Sequence, residues 1–270
     1  MTEPRAERYL FGLRIAPLTL AQAVERADEA ISGRTRLLVA VVNAAKIAKL
    51  TTDTLLRESL LEADVTLADG QSVVWASRIL RQPLPERVAG IDLFEGLLDL
   101  AHRKHLGVYL LGARPEVLAQ LERAVAERWP GLELSGTRDG YFTDAQSADV
   151  AAEIREAQPD MLFLGITTPK KEIFLGTYAD ELGVPVMHGV GGSFDVLAGV
   201  TRRAPRGWQR LGMEWAYRVL QEPRRLWRRY LVTNLAFLAL LTKELVRPRP
   251  LYPRSAEPNS TTPTELSIPR

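Results

Sequence analysis

Leu37-Leu38-Val39-Ala40-Val41-Val42, the LLVAVV that fills Arg36 to Val42, is an unbroken apolar run of strand length. A strand with one wet face alternates apolar and polar residues; a run without alternation belongs to a central strand covered on both faces. Upstream, Pro17 to Ile31 places apolar residues at helical spacing and stops at Ser32-Gly33, a helix with its C-cap. Downstream the pattern predicts a helix over Ala44 to Ala63, a short strand Val65 to Leu67, and helices Gln71 to Leu80 and Ile91 to Lys104. Strand Gly107 to Leu111, helix Pro115 to Trp129 and strand Leu132 to Ser135 follow. The turn Asp139-Gly140 then leads to a helix with Thr143 as its N-cap. Strand Met161 to Leu164, helix Pro169 to Leu182 and strand Val184 to His188 complete the alternation. Strands separated by helices imply an α/β domain around a mostly parallel sheet with helices on both faces.

From Trp208 the pattern turns all-helical, and beyond Arg247 the Pro-, Ser- and Thr-rich tail reads as disordered. The chain therefore divides into an α/β part over 1–200, a basic helical appendage over 201–246 and a tail over 247–270. At 270 residues, 46% hydrophobic and 25% charged, it has the composition of an ordinary globular protein. It contains no cysteine, which excludes disulfides, thiolate catalysis and cysteine-held metal sites. The N-terminus lacks a basic start followed by an apolar run, and the longest apolar run, Leu231 to Leu241, is shorter than the roughly 20 residues that span a bilayer. The expected location is the cytoplasm.

Thr201 to Tyr230 carries nine arginines against two acids, a net of +7 in a chain whose total is +2. Trp208, Trp215, Trp227, Tyr217 and Tyr230 are interleaved with them. Such a mixture suits a phosphate-bearing, partly apolar partner. A nucleic-acid-binding module is the alternative, but the near-neutral whole and the apolar Leu231 to Leu241 argue against nucleic acid. A nicotinamide enzyme is disfavoured because Gly189-Val190-Gly191-Gly192 does not complete G-x-G-x-x-G, Phe194 taking the last position.

In open parallel sheets ligands bind beyond the carboxyl ends of strands. Four places qualify: Asn43, Asp69-Gly70, Gly165 to Glu172, and Gly189 to Asp195. Asp69 reads either as an N-cap for the following helix or as a general base. The glycines read as a tight turn or as a close approach to phosphate. Lys170 and Lys171, in a helix first turn, oppose the helix dipole and point to a nearby anion, unless they are merely solvated. Asn43 and Arg87 are either loop residues or ligand contacts. His102 and His105 read as part of a solvated basic face, and His188 as a packed residue. No D-x-D pair is present to hold a metal against a nucleotide sugar, so no metal and no cofactor are expected, and cations take that role.

LADGQSVVWASRILRQPLPERVAGIDLF, LLGARPEV, DGYF, PKKE, GVGGSFDVLAG and RRAPRGWQRLGMEWAYRVLQEPRRLWRRY, in this order, resemble the WecG/TagA/CpsF glycosyltransferases of bacteria from about Val39 to Tyr230. The resemblance implies a Rossmann-like domain with a C-terminal appendage that attaches to the membrane and helps complete the active site. It implies inverting, metal-free transfer of an N-acetylmannosamine-type or related sugar from a UDP donor to a polyprenyl-diphosphate-linked acceptor in cell-surface polysaccharide synthesis. The partners so implied are the UDP-sugar, the lipid-linked acceptor and the inner face of the cell membrane; no nucleic acid is expected, and a homo-oligomer stays open. By motif, Asp69 is the base, and Asn43 and Arg87 contact the donor sugar or diphosphate. Gly191, Gly192 and Asp195 line the nucleotide site, and Arg218, Arg225 and Arg228 meet a diphosphate. Two positions depart from the family pattern near the expected sugar site: Val41 stands where Thr is common, with Ala44-Ala45-Lys46 after Asn43, and Lys171, counted among the substrate-binding residues, stands where Gln is common.

Overall fold

The computed structural model describes residues 7–253 except 211 and 222, and within that range it does not describe the side chains at 206, 210, 218, 225, 226 and 229. Six strands form one parallel sheet: β3 (Leu37–Val42), β4 (Val65–Ala68), β5 (Val108–Gly112), β6 (Leu134–Arg138), β7 (Met161–Gly165) and β8 (Val186–Gly189). Their order is β4-β3-β8-β7-β5-β6, with every neighbouring pair parallel. The expected fold class is what the chain adopts.

Side-chain alternation explains why β3, β5 and β7 read as continuous apolar runs. Val108, Leu110, Met161 and Phe163 belong to the core on one face, while Tyr109, Leu111, Leu162 and Leu164 belong to the core on the other. The first face is covered by α1 (Leu20–Ser32), α5 (Gly90–Lys104), α6 (Pro115–Arg128) and α9 (Ser193–Leu197). The second is covered by α7 (Ser147–Ala157) and α8 (Lys170–Tyr178). At the end of α1, Gly33 is the C-cap, its N–H donating to the Glu29 carbonyl, while the Arg34 N–H donates to the Ile31 carbonyl.

Three elements differ from the sequence reading. The helix expected over Ala44 to Ala63 is two, α2 (Ala44–Lys49) and α3 (Thr54–Glu62), because Asp53 caps the second by accepting the Leu56 N–H at 3.0 Å. The strand expected at Leu132 to Ser135 is β6, displaced toward Arg138; as an edge strand it is only half covered, so no apolar run marks its extent. A hairpin of β1 (Arg8–Leu10) and β2 (Leu13–Ile15) was not read at all. Its two-residue turn, Phe11-Gly12, has φ of 56° and 80°, the left-handed pair that matches strand twist. Thr143 does form a capping box with Gln146, opening a short 3-10 turn that runs into α7.

After α9 the chain continues as α10 (Arg206–Arg210), α11 (Glu214–Gln221) and α12 (Pro223–Val246). α12 packs along α2 and reaches the hairpin, where Phe237 lies 5.4 Å from the Phe11 ring. The buried Glu244 carboxylate accepts the Phe11 N–H at 3.2 Å. Residues 247–253, read from sequence as the start of the tail, lie against the same turn, with the Tyr252 N–H donating to the Gly12 carbonyl. Residues 254–270 lie outside the described residues.

Candidate active site

The four strand ends singled out from sequence belong to β4, β3, β8 and β7, which are consecutive in the sheet. At about 4.8 Å per strand they span about 14 Å of one edge. The connection after β7 leads to β8 while the one after β5 leads to β6 on the opposite side. The chain thus diverges between β5 and β7, the kind of position at which open parallel sheets take ligands. There Gly112, at φ +137°, leaves no room for a side chain: a Cβ would sit 2.5 Å from the Gly165 backbone.

Asp69 follows β4 and does not cap the next helix. That helix, α4 (Gln71–Ile79), starts at Gly70 with no side-chain cap. The Asp69 carboxylate instead turns inward, accepting the Gly90 N–H at 3.1 Å on one oxygen and the Asn43 side-chain amide at 3.3 Å on the other. Gly90 is the first residue of α5, so the carboxylate takes an otherwise orphaned N–H at the positive end of a fifteen-residue helix. Asn43 is the N-cap of α2, its oxygen accepting the Lys46 N–H at 3.1 Å. One asparagine therefore ties the β3 end to the β4 end and fixes where the acid points.

Lys46, one helical turn beyond Asn43, folds back over the strand end and donates from Nζ to the Val41 carbonyl at 2.6 Å. Burial, then the charge of Lys171, push its ammonium down to about 8, opposed by Asp69 and Glu172. Lys171 lies over Gly189 and pairs with Glu172 at 3.0 Å. Glu172 is buried; one of its oxygens also accepts from Thr168, and the other has no partner among the described residues. Lys170 turns away, donating to the carbonyls of Gly140 and Phe142 over the Phe142 ring, so it anchors the DGYF loop to α8. Neither lysine is a solvated first-turn cation.

His188 is fully buried on β8, with Nδ1 3.1 Å from the Val39 carbonyl and Nε2 3.4 Å from the Gly90 carbonyl. Burial pushes it down to about 4, despite those carbonyls, with Lys46 and Lys171 adding to the effect. It is a neutral packing residue, as expected from sequence.

Arg87 is held beside β4, where the Val88 N–H bonds the Ala68 carbonyl. Its side chain is 13% exposed and pairs with Glu214 of α11 at 3.0 Å. Arg203 completes the contact, reaching Asp92 at 2.5 Å and Glu214 at 3.6 Å. This network fastens the appendage over the α5 end of the site. After β8, Gly191 takes a positive φ of +53°, and a Cβ at Gly191 or Gly192 would meet nothing within 4 Å, so the space beside this turn is open. Asp195 is half-buried in the first turn of α9, and its carbonyl accepts the Thr201 N–H. Arg228 stands exposed on α12, while the side chains of Arg218 and Arg225 lie outside the described residues. Among the described residues no three His, Asp or Glu side chains converge as a metal-holding group.

The structure thus gathers Asn43, Asp69 and Lys171 at adjacent strand ends and adds Lys46, Glu172 and the Gly90 N–H. Lys46 was legible in principle: three residues after an N-cap, a side chain returns over the strand end that precedes its helix.

The Glycosyl transferase WecG/TagA/CpsF family matches residues 8–250. The chain belongs to that family. It is a glycosyltransferase. Among its curated relatives is a protein of Bacillus spizizenii named N-acetylglucosaminyldiphosphoundecaprenol N-acetyl-beta-D-mannosaminyltransferase, 39% identical over 193 residues that cover 72% of this chain and 74% of the relative. A Staphylococcus aureus protein of the same name is 34% identical over 221 residues, 81% of this chain and 86% of the relative.

Proposed function

We propose that this glycosyltransferase moves an N-acetylmannosamine-type or related sugar from a UDP donor to a sugar linked through diphosphate to a polyprenyl lipid, with inversion and without a metal. Asp69 takes the proton of the acceptor hydroxyl, and that oxygen bonds the anomeric carbon. The bond from that carbon to the UDP oxygen breaks, and UDP leaves with the electron pair. Arginines of the appendage and the open Gly191-Gly192 turn receive the diphosphate, in place of a bound cation. Residues 1–200 form the catalytic domain, 201–246 the appendage and 247–270 the tail.

The observation that carries the reading is the Asp69 carboxylate itself, fixed at the strand ends by Asn43 and the Gly90 N–H. The names of the relatives support the acceptor class. The test is a donor screen: purified protein, a panel of UDP-sugars and a short polyprenyl-diphosphate-GlcNAc acceptor, with UDP release and glycolipid product as readouts. Product from UDP-N-acetylmannosamine, undiminished by EDTA, is the expected result; no product from any donor overturns the reading.

The acceptor's lipid calls for a membrane surface, and α12 supplies a matching face. No helix among the described residues is long and apolar enough to cross a membrane. Yet Trp227, Leu231, Val232, Leu235, Leu238, Leu245 and Val246 are exposed, opposite the buried Phe237 and Glu244. These positions recur at helical spacing, giving an outward apolar stripe with Arg224 and Arg228 exposed at its start. On this reading the enzyme works on the inner face of the cell membrane as a peripheral protein. The triple change Leu231→Glu, Leu235→Glu, Leu238→Glu is expected to abolish co-flotation with anionic vesicles while leaving thermal unfolding close to wild type. Unchanged flotation would exclude the stripe as the docking face.

A further inference from the structure

The arginine-rich stretch from Thr201 to Tyr230 contains only two acids, Glu214 and Glu222. Glu214, the first residue of α11, reaches out of the appendage: its carboxylate accepts from Arg87 Nη1 of the α/β domain at 3.0 Å. Its other oxygen stands 3.6 Å from Arg203 Nε, and neither of those two buried atoms has a hydrogen-bond partner among the described residues. The bond from Arg87 is thus the one hydrogen bond that the Glu214 side chain makes among the described residues.

Seen from Arg87 the pairing is equally exclusive. The acid of its own domain that approaches it, Asp92, lies 3.9 Å from Nη2, too far for a hydrogen bond. Asp92 is held instead by Arg203 of the appendage, at 2.5 Å. Two ion pairs therefore cross the boundary in opposite senses, Arg87 with Glu214 and Asp92 with Arg203, and the four charges cancel. A guanidinium carries five N–H donors, so the single bond to Glu214 fixes one edge of Arg87 and leaves donors for a ligand.

The crossed pairs stand beside Asp69 on two counts. Val88, the residue after Arg87, bonds the carbonyl of Ala68, the residue before Asp69. Asp92 lies in the first turn of α5, the helix whose Gly90 N–H bonds the Asp69 carboxylate.

We propose that Glu214 is a positioning residue for the transfer: it fixes the Arg87 guanidinium for the donor, so that this arginine of the catalytic domain is set only while the appendage is docked. The proposal rests on Arg87 meeting the donor sugar or its diphosphate. Without the Glu214 carboxylate, the acid left within 4.0 Å of Arg87 is Asp92, and the guanidinium is drawn toward α5. A binding side chain that is not locked by its neighbours loses its productive geometry. An acid in the first turn of a helix also suits the helix dipole. That service to α11 needs only the charge, whereas positioning Arg87 needs the reach of a glutamate.

The experiment measures kcat and donor KM with UDP-N-acetylmannosamine for full-length wild type, Glu214→Gln, Glu214→Asp, Arg87→Gln and the double variant Glu214→Gln, Arg87→Gln, with thermal unfolding run on each. Glu214→Gln should raise KM about tenfold, the size of coupling within one ion-pair network, with kcat changed by less than about threefold. Glu214→Asp keeps the acid for α11 but withdraws it from Arg87 by one methylene, so KM should rise by a similar factor with unfolding unmoved. The double variant should be no worse than Arg87→Gln alone, because Glu214 acts through that side chain. A KM within about twofold of wild type in either Glu214 variant overturns the proposal, as does a double variant whose defect is the product of the two single ones. If Arg87→Gln itself leaves KM near wild type, the donor role of Arg87 falls and the proposal with it; if Arg87→Gln is impaired while Glu214→Gln is normal, only the role of Glu214 falls.

Discussion

Asp69→Asn is expected to lower kcat by about 10²- to 10⁴-fold, the range attributed to a positioned general base. The substitution is nearly isosteric, so an oxygen can still accept the Gly90 N–H that the carboxylate now takes at 3.1 Å. The other position becomes an amide that cannot accept from Asn43 and cannot hold the acceptor's proton. Because the charge, and not the shape, is removed, KM for the donor should change far less than kcat. Thermal unfolding should stay within a few degrees of wild type, since the side chain is only partly buried. Single-turnover transfer with donor and lipid-linked acceptor both saturating makes the comparison on the chemical step. A rate within tenfold of wild type would remove Asp69 from the mechanism.

Phe194→Ala should give the largest loss of stability. Phe194 is fully buried in the GVGGSFD segment, 5.6 Å from the Phe94 ring, which in turn meets Phe163 at 4.6 Å. Its ring also presses on β7: a Cβ on Gly165 would fall 2.4 Å from it. Truncating a buried Phe in such a cluster costs about 3–5 kcal/mol, the lost transfer energy plus the cavity left behind. For a domain of this size each kcal/mol lowers the melting temperature by about 2–4 °C, so a drop of roughly 10 °C is expected by calorimetry. Activity should fall as well, below the melting range, because Phe194 fixes the helix that follows the open Gly191-Gly192 turn. A melting temperature within 3 °C of wild type would mean that this ring is not part of the packed core.

Several elements of the fold were legible because they depend on short-range periodicity. LLVAVV announces a strand covered on both faces, and the structure divides its residues among three packed clusters, Leu37, Val39 and Val41 in one, Leu38 in a second and Val42 in a third. Thr143 announced a cap and forms one. The hairpin was missed because each strand is three residues long, too short for alternation to register. The break between α2 and α3 was missed because apolar spacing continues across it; the polar cap at Asp53 decides it. Within the site, Asp69, Asn43 and Lys171 were found from their places at the ends of strands. Asp69 was first open to an N-cap reading, which the structure does not bear out.

What the sequence determined by itself is therefore the class of fold, the strand ends on which chemistry could sit, and the family. All of these are carried by local pattern or by motifs in order. The tertiary structure alone decided that β4, β3, β8 and β7 are neighbours, because strand order comes from long-range pairing that no local period encodes. It alone decided that Arg87 meets Glu214 across 127 residues of chain, fastening the appendage to the site. Whether a lysine is a solvated surface cation or a packed and bonded one depends on where its chain neighbours fold, and here Lys46 meets the Val41 carbonyl while Lys171 pairs with Glu172 and lies over Gly189.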